Sequence, residues 1–401
     1  MKWQLALLTG GRTFASLVQA VIVVLMARLL PVGEFGELNT VLGVGVVIAG
    51  AGDFGVSTLL AKARARHENS LVMGCIVFNR ASSLFIATAF AGTLVIIEGF
   101  SFAGFAFAFL AVALAIDKNV DCLLSIPIAD GDRSTAPISI ALRRTATLIA
   151  FLTFLALETP ALWSYSLSYL LGSLFGQVHI QMFLRDKLSP ICEKVKLIAT
   201  TRSAFPYFVS NFTGQIRLLD TPLVSSVAGV VQAGLYSGAT KIVQPFSLIP
   251  GVVTTVIMPH SARLSPDRAR VLSRKLVALA ILFLALMAIP TIFSADIISL
   301  ILGEQFQAAS AALGWTLLGL AFVSLSSPLG SVLQSQGHER LVAKNGFFFA
   351  IANLVGVLLG SWASGAQGAA AAIALVFFIK STTLVYFIEN RVRGDILKVT
   401  G

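Results

Sequence analysis

The sequence predicts an all-α polytopic membrane protein. About twelve transmembrane helices are expected, in two six-helix bundles around a central cavity, with both termini cytoplasmic. Hydrophobic residues make up 56% of the 401-residue chain, charged residues make up only 12%, and the mean hydropathy is +0.87. A soluble fold of this length needs more polar surface than such a composition supplies. The apolar runs and the charges between them define the fold class further.

Twelve apolar runs are long enough, or nearly long enough, to cross a bilayer, since one helical crossing takes about 20 residues. Each run is expected to be helical because lipid offers no partner for backbone N–H and C=O groups. The runs are Leu5–Leu30, Leu38–Ala61, Leu71–Ile97, Phe100–Leu124, Ala136–Leu157, Ala161–Phe183, Phe205–Ala228, Leu235–Met258, Leu276–Ile292, Ala309–Leu333, Leu341–Trp362 and Gly365–Ile388. The first run is interpreted as a transmembrane helix and not as a removable signal, because no convincing cleavage site follows it.

The charges alternate between successive gaps. Lys and Arg cluster in every second gap, for example at 62–66, 185–196 and 263–275, whereas the gaps between carry mainly acids. This alternation is the positive-inside pattern and predicts that both termini and all the basic loops face the cytoplasm. The formal net charge of +10 is therefore explained by topology, and no nucleic-acid partner is expected.

The longest cytoplasmic connection lies near the middle of the chain and predicts two domains. An N-terminal six-helix bundle is expected at 1–184, a cytoplasmic linker at 185–203 and a C-terminal six-helix bundle at 204–401. The halves also resemble each other, because the segment 34–38 around Gly36 matches the segment 232–236 around Gly234. An even number of crossings per half predicts a pseudo-twofold axis along the membrane normal.

The chain carries no pattern typical of an enzyme or a metal site. Its three cysteines form no CxxC motif, its four histidines form no HExxH motif, and no nucleophile motif appears. We expect no catalytic residue, cofactor or metal. The motif Asp130-Gly131-Asp132 matches the DxD of nucleotide-sugar glycosyltransferases, but its loop is too short for that fold. A turn is the favoured interpretation, since a glycine between acids is an ordinary turn sequence.

Several stretches together resemble a known family. They are Ala27–Gly36, Gly52–Gly55, Asp220–Ile242, Met258–Ser261, Ile301–Phe306 and Gly365–Ala370. On these residues the chain resembles the oligosaccharide flippases (polysaccharide biosynthesis proteins, O-antigen translocases) of the multidrug/oligosaccharidyl-lipid/polysaccharide exporter superfamily. The resemblance implies flipping of an undecaprenyl-pyrophosphate-linked oligosaccharide by alternating access, for O-antigen, capsule or exopolysaccharide synthesis. Implied partners are this lipid-linked oligosaccharide, membrane lipids, a coupling proton or sodium ion, and the polymerase and chain-length proteins of the glycan pathway.

Such a transporter requires a cationic pocket for pyrophosphate and polar groups for sugars. Charges inside a bilayer are the natural candidates because each is costly unless it faces a cavity or a partner. The candidate substrate-binding residues are Arg12, Gln19, Arg80, Asn211, Arg217, Lys241 and Gln244. For these residues, snorkelling of Arg12 to the interface and simple neutralisation of Arg217 by Asp220 are open alternatives.

Two acids, Asp53 and Asp220, are candidates for ion coupling, since a desolvated carboxylate can exchange protons. Asp117 and Asp121 are expected close to the cytoplasmic end of the fourth transmembrane helix. Arg143, Arg144, Lys118 and Lys380 are expected toward the cytoplasmic interface, where they would snorkel.

Two other functions fit part of the pattern. The first is a small-molecule, multidrug-type cation-coupled antiporter of the same superfamily, which should prefer an acidic cavity. The second is a polytopic polysaccharide polymerase or ligase, which needs a large outward-facing loop. The longest such connection, around 293–308, is too short for that purpose.

Overall fold

The structure is a computed structural model that describes residues 2–185, 187, 197–247, 253–254, 257–258 and 260–399. The side chains of residues 2, 5, 209–214, 216–217 and 391–399 lie outside the description. Every regular element in the described ranges is a helix. Seven helices are long and apolar enough to cross a membrane, judged by length and composition within those ranges. One of these candidate spans, Glu339–Asn390, has 52 residues, enough for two crossings of a ~30 Å hydrocarbon layer.

The chain divides into two compact units. The first unit comprises Met1–Leu30 and Val41–Leu219. Its helices, with α2 beginning in residues of the second unit, are α1 (Lys2–Leu29), α2 (Val32–Asp53), α3 (Val56–Ala65), α4 (Asn69–Ile97), α5 (Phe102–Leu123), α6 (Ser125–Ala129), α7 (Thr135–Ala156), α8 (Ala161–Arg185) and α9 (Leu197–Gln215), followed by a 3-10 turn at Ile216–Leu219. Helix α8 packs against both α5 and α7, so these three helices form the interior of this unit.

The second unit comprises Pro31–Thr40 and Asp220–Gly401. Its helices are α10 (Asp220–Ala228), α11 (Val230–Val243), α12 (Pro266–Ile292), α13 (Ser294–Ile301), α14 (Ser310–Ser335) and α15 (Glu339–Val399), with 3-10 turns at Gln244–Ser247 and Glu304–Ala309. Helix α15 is two helices joined at a sharp break, where Gly365 has a φ of 58°. Only glycine adopts such a φ without strain. The amide of Ala366 beyond the break donates to Gln232 Oε1 at 2.9 Å.

The division into units differs from the domain boundaries predicted from the sequence, which stay a prediction. Residues 31–40 at the start of α2 group with the second unit, and the first unit continues to Leu219. The reason for the first difference is a close contact between the beginnings of α2 and α11. A Cβ atom on Gly36 would overlap the carbonyl oxygen of Val230, and a Cβ atom on Gly234 would overlap that of Val32.

This contact is reciprocal in the register of the sequence repeat. The match of 34–38 with 232–236 makes Gly36 equivalent to Gly234 and Val32 equivalent to Val230. Each glycine therefore meets the residue that lies four positions before its own counterpart. Gly36 contacts Val230, and their counterparts Gly234 and Val32 contact each other in the same way. Such a reciprocal contact is the mark of a two-fold relation. The repeat thus has a direct physical consequence, a backbone-to-backbone approach that only glycine permits.

Alanine at either glycine is expected to disrupt this contact. The added Cβ meets backbone and not a mobile side chain, so G36A and G234A should each destabilise the protein by about 1–3 kcal/mol through overpacking. The midpoint of thermal unfolding in detergent measures the effect. G33A is the matched control, since its Cβ would lie 3.7 Å from the nearest side chain, and it should leave the midpoint unchanged. Equal midpoints for all three variants would contradict the reciprocal contact.

Candidate functional site

A cluster of charged side chains is buried inside the first unit, centred on Asp117 of α5. Arg143 Nη1 lies 2.5 Å from Asp117 Oδ1, and Arg144 Nη2 lies 3.0 Å from Asp117 Oδ2. Arg143 Nη2 also lies 2.6 Å from Asp121 Oδ1, one turn further along α5. Arg143 and Asp117 are 4% and 7% exposed. Two guanidinium groups of α7 therefore share one buried carboxylate.

Two tyrosines of α8 complete one side of the cluster. The Tyr169 hydroxyl donates to Asp117 Oδ2 at 3.2 Å, and the Arg144 guanidinium lies 4.9 Å from the centre of the Tyr169 ring. Tyr165 packs edge-on against Tyr169 with ring centroids 5.8 Å apart. Gln19 of α1 contacts Tyr165. The cluster thus joins four helices through charge, hydrogen bonding and aromatic contact.

The position of Arg143 depends on two glycines of α8. A Cβ atom on Gly176 would overlap the Cδ and Cγ atoms of Arg143, and one on Gly172 would overlap the Thr147 hydroxyl and approach the Arg143 carbonyl. The glycines let α7 approach α8 closely and leave room for the arginine stem. Arg143 lies eight residues after the first residue of the 22-residue α7, about 12 Å along a helix about 33 Å long. This depth is far from either helix end, so the charge requires an internal partner.

Charge exposure within the cluster is graded. The side chains of Arg143 and Asp117 are 4% and 10% exposed, that of Arg144 is 21% exposed and that of Asp121 is 51% exposed. The cluster is therefore closed at Asp117 and accessible at Arg144 and Asp121. An anion approaching from the accessible side meets a guanidinium group that is held in place by an aromatic ring and a carboxylate.

Two further polar groups cross the interior of the first unit. Asn79 Nδ2 donates to Asn119 Oδ1 at 2.6 Å, and Asn119 Nδ2 donates to Gln177 Oε1 at 2.7 Å. Asp53 accepts a hydrogen bond from the Ser57 hydroxyl, and its Oδ1 lies 3.7 Å from Lys118 Nζ. Asp53 is 4% exposed, so this candidate acid is buried with an ammonium partner.

The predicted site residues of the first unit do not all lie together. Gln19 is half-buried and lies beside the cluster through its contact with Tyr165. Arg12 is exposed on the same helix. Arg80 is also exposed, on a face of α4 that carries Leu84 and Phe85, which are 68% and 71% exposed. Arg80 is therefore not part of the buried cluster, and its role stays a prediction.

The predicted site residues of the second unit are dispersed. Asp220 at the start of α10 accepts from Asn353 Nδ2 at 3.1 Å. Lys241 is half-buried and Gln244 is exposed. In the first unit, the side chains of Asn211 and Arg217 lie outside the described part of the chain, so the predictions for these two residues remain open.

One sequence-based expectation about charges in the first unit was wrong. Arg143 does not snorkel but is buried against Asp117 and Asp121, and Arg144 also pairs with Asp117. Asp117 lies six residues before the end of α5, near the helix end as expected, and it is buried. The available signal was the match between two acids spaced i, i+4 on α5 and two adjacent arginines well inside α7.

The DxD motif forms a turn in the structure, as favoured from its sequence. Gly131 has a φ of 77°, and Asp130 forms a two-pronged ion pair with Arg64 at 2.6 and 2.9 Å. Asp132 Oδ1 accepts from the backbone amides of Ser134 and Thr135 at 2.8 and 2.7 Å. Burial alone would raise the pKa of Asp132, but these amide hydrogen bonds outweigh it and hold the pKa below the usual value. Both acids therefore have structural partners.

The fold that contains this cluster is also found in solved structures of membrane transporters. The chain is similar to a multidrug resistance MATE family transporter of the MOP superfamily in an inward-facing conformation, with a TM-score of 0.72, 14% identity and coverage of 95% of each chain. It is also similar to the lipid II flippase MurJ in an inward closed conformation, with a TM-score of 0.71, 15% identity and coverage of 96% of this chain and 88% of that one.

A MOP superfamily transporter from Pyrococcus furiosus, whose binding pocket has reversed polarity, is similar as well, with a TM-score of 0.62, 12% identity and coverage of 97% and 95%. No protein of curated function matches this chain in sequence. These likenesses confirm the predicted fold class, a multi-pass membrane protein of about twelve helices. The cytoplasmic location of the termini stays a prediction.

Family membership follows from the sequence itself. The family model described as polysaccharide biosynthesis protein matches residues 25–311. The chain belongs to this family, which confirms the resemblance found from its motifs.

Removing the carboxylate at the centre of the cluster is expected to destabilise the fold, and removing one of its cationic partners as well is expected to restore part of the lost stability. D117L leaves two arginines facing one partly exposed acid, and an uncompensated buried charge costs about 3–5 kcal/mol. The double variant D117L/R143M restores the balance of one arginine and one acid, so it should be more stable than D117L alone. Thermal unfolding of the purified variants measures both. A double variant less stable than D117L would contradict the shared-carboxylate arrangement.

The hydrogen bonds of Asp132 should stabilise the start of α7 in a pH-dependent way. Because the pKa of Asp132 is lowered on folding, its contribution is present above the unfolded value near pH ~4 and is lost as pH falls through the folded value. D132A should therefore destabilise the first turn of α7 by about 0.5–1 kcal/mol at neutral pH and by less in acid. Hydrogen exchange of the amides of residues 134 and 135 measures this effect when D132A is compared with the unmodified protein at neutral and at acidic pH. A loss of amide protection that is the same at both pH values would exclude the mechanism.

Proposed function

We propose that this protein flips a polyprenyl-pyrophosphate-linked oligosaccharide across the bacterial inner membrane by alternating access. The cargo would serve O-antigen, capsule or exopolysaccharide synthesis. The proposal is carried by the pair of guanidinium groups at Arg143 and Arg144, held on one carboxylate inside a membrane-embedded helical unit. Membership of the polysaccharide biosynthesis family supplies the pathway class, and the fold shared with a lipid II flippase supports a lipid-linked cargo.

The geometry of the guanidinium pair suits a diphosphate. A guanidinium group presents a planar fork of donors that matches phosphate oxygens in two-pronged fashion, which an ammonium group does not. Asp117 and Asp121 accept hydrogen bonds from the guanidinium groups of Arg143 and Arg144. A pyrophosphate that reaches Arg144 offers the same kind of acceptor with more charge. We infer an exchange in which the cargo replaces the carboxylate at the accessible Arg144, while Arg143 remains on Asp117.

Polar and aromatic groups beside the arginines suit a sugar. Tyr165 and Tyr169 present two aromatic rings packed edge-on, and the Oε1 atom of Gln19 is buried with no hydrogen-bond partner in the described part of the chain. An unpartnered buried acceptor is costly, and a donor from a bound molecule removes that cost. Sugar hydroxyls supply such donors. The predicted roles of Arg12, Arg80, Lys241 and Gln244 belong to the same proposal, along a path that the cargo follows.

Ion coupling is proposed at Asp53 and Asp220. Asp53 is buried beside the Lys118 ammonium group, and Asp220 accepts from Asn353. A proton or sodium ion at either acid would change the local charge balance as the protein alternates. Partners further along the pathway would be the polymerase and chain-length proteins that consume the flipped oligosaccharide.

The alternative function, a cation-coupled exporter of small molecules, is less well supported by the charges. A cationic drug requires a carboxylate free to receive it, whereas Asp117 is already shared by two arginines and Asp53 faces a lysine. The second alternative, a polymerase or ligase, requires catalytic groups outside the membrane. In the described ranges no cluster of three metal-binding side chains occurs, and both acids of the DxD turn have structural partners.

The proposal predicts that surface glycan depends on the fork geometry at Arg144. In a strain lacking the native gene, R144A should reduce surface glycan by about ten-fold or more, because charge-assisted hydrogen bonds contribute about 1.5–3 kcal/mol. R144K keeps the charge without the fork and should restore only part of the activity. The control is R133A, which removes an exposed arginine from the loop before α7 and should support full glycan levels.

Protein levels must be matched by immunoblot, and flipping should be confirmed in vesicles with a fluorescent polyprenyl-pyrophosphate-linked oligosaccharide. Full glycan with R144A at normal protein abundance would overturn the role of the cluster. Export of cationic dyes by vesicles that do not flip the lipid-linked sugar would favour the antiporter.

A further inference from the structure

A separate pocket of about 1010 Å³ lies in the second unit, at the turn between α14 and α15. It lies where two membrane-spanning helices end and begin, and it is lined by the first three turns of α15 and by a stretch of the same helix beyond the break. Cavities of roughly 300–1,000 Å³ hold ligands of the size of a drug molecule or a lipid headgroup with its glycerol. The proposed cargo site in the first unit uses none of these residues.

The polar rim of the pocket carries both signs of charge. Arg340 and Lys344 line it one helical turn apart, and Glu339 lines it beside Arg340. All three residues are exposed. The nearby acid Glu389 is already engaged, since it accepts from Arg270 at 2.7 Å and from Arg274 at 2.8 Å. The rim therefore offers two cations and one acid to a ligand, a pattern that complements a zwitterion.

A buried amide lies beneath this rim. Asn345 lines the pocket and is only 8% exposed, and its Oδ1 atom has no hydrogen-bond partner in the described part of the chain. A buried acceptor without a donor is costly, and native structures seldom leave one empty. A ligand with N–H or O–H donors that reach below the charged rim would satisfy this acceptor.

Apart from Gly337, His338 and Thr383, the remaining lining residues are apolar, and part of this wall is exposed. Phe348 and Ile379 line the pocket and are 65% and 46% exposed, whereas Phe349 beside them is 7% exposed. Phe348 lies four residues beyond Lys344, or about 6 Å further into the helix. Charged groups at a helix end followed by exposed apolar groups within the span match the order of headgroup and acyl chain in a lipid.

We propose that this pocket binds a phospholipid with a phosphoethanolamine headgroup. The phosphate lies between Arg340 and Lys344, and the ammonium group donates to Glu339 and to Asn345 Oδ1. The acyl chains follow Phe348 and Ile379. A choline headgroup lacks the N–H donors and a phosphoglycerol headgroup lacks the cation, so neither satisfies both Glu339 and Asn345.

Lipid selectivity of the delipidated, detergent-purified full chain tests this proposal. Native mass spectrometry should show phosphatidylethanolamine binding about ten-fold more tightly than phosphatidylcholine of the same chain length, as expected for loss of charge-assisted hydrogen bonds. Phosphatidylglycerol should also bind more weakly. Glycerophosphoethanolamine, which has no acyl chains, should not bind at concentrations that saturate with the lipid. Equal binding of the ethanolamine and choline lipids, tighter binding of phosphatidylglycerol, or tight binding of the soluble headgroup would each overturn the proposal.

Variants locate the site. N345L and E339Q should each remove the preference for ethanolamine over choline, and K344Q should weaken both lipids by about ten-fold. E339Q changes an exposed residue, so it keeps the test valid if N345L fails to fold. R268Q, which removes an exposed arginine of α12 outside the pocket, is the control and should leave the preference unchanged. A preference that survives both N345L and E339Q would refute the assigned site.

Discussion

The interior of the first unit depends on one constraint: two guanidinium groups far from the ends of α7 must be neutralised where water is scarce. Asp117 neutralises them, with Asp121 as a second acceptor for Arg143. This requirement fixes the register of α5 against α7, and the glycines of α8 that accommodate the arginine stem follow from it. Buried ion pairs of this kind contribute little net stability compared with apolar packing, so the proposed function, not stability, accounts for charges at this depth.

The second unit depends on a different constraint, the backbone contact between the beginnings of α2 and α11. Its two glycines are equivalent in the sequence repeat, and each contacts the residue that lies four positions before the other. Charge organises one unit and close backbone approach organises the other. Both arrangements rely on glycine where a larger residue would separate the helices, which is a common requirement in membranes because hydrophobicity does not drive helix association there.

The sequence was sufficient for the fold class, the family and the turn at Asp130–Asp132. Hydropathy and charge alternation follow directly from the requirements of a lipid bilayer, so they predict transmembrane helices well. The site was harder to predict, because position along a single helix does not reveal which charges pair between helices. Arg143 and Arg144 were expected to snorkel, whereas both pair with Asp117 of α5, and Arg143 is buried. Tertiary pairing, which no single helix reveals, made the difference.

The central claim is that Arg144 is held ready for a diphosphate. The most direct measurement is the affinity of the purified protein for a short-chain polyprenyl pyrophosphate compared with the corresponding monophosphate. Two-pronged recognition predicts that the pyrophosphate binds about ten-fold or more tightly and that this difference disappears in R144Q. Equal affinities for the two lipids in the unmodified protein, or a preference that R144Q retains, would contradict the account.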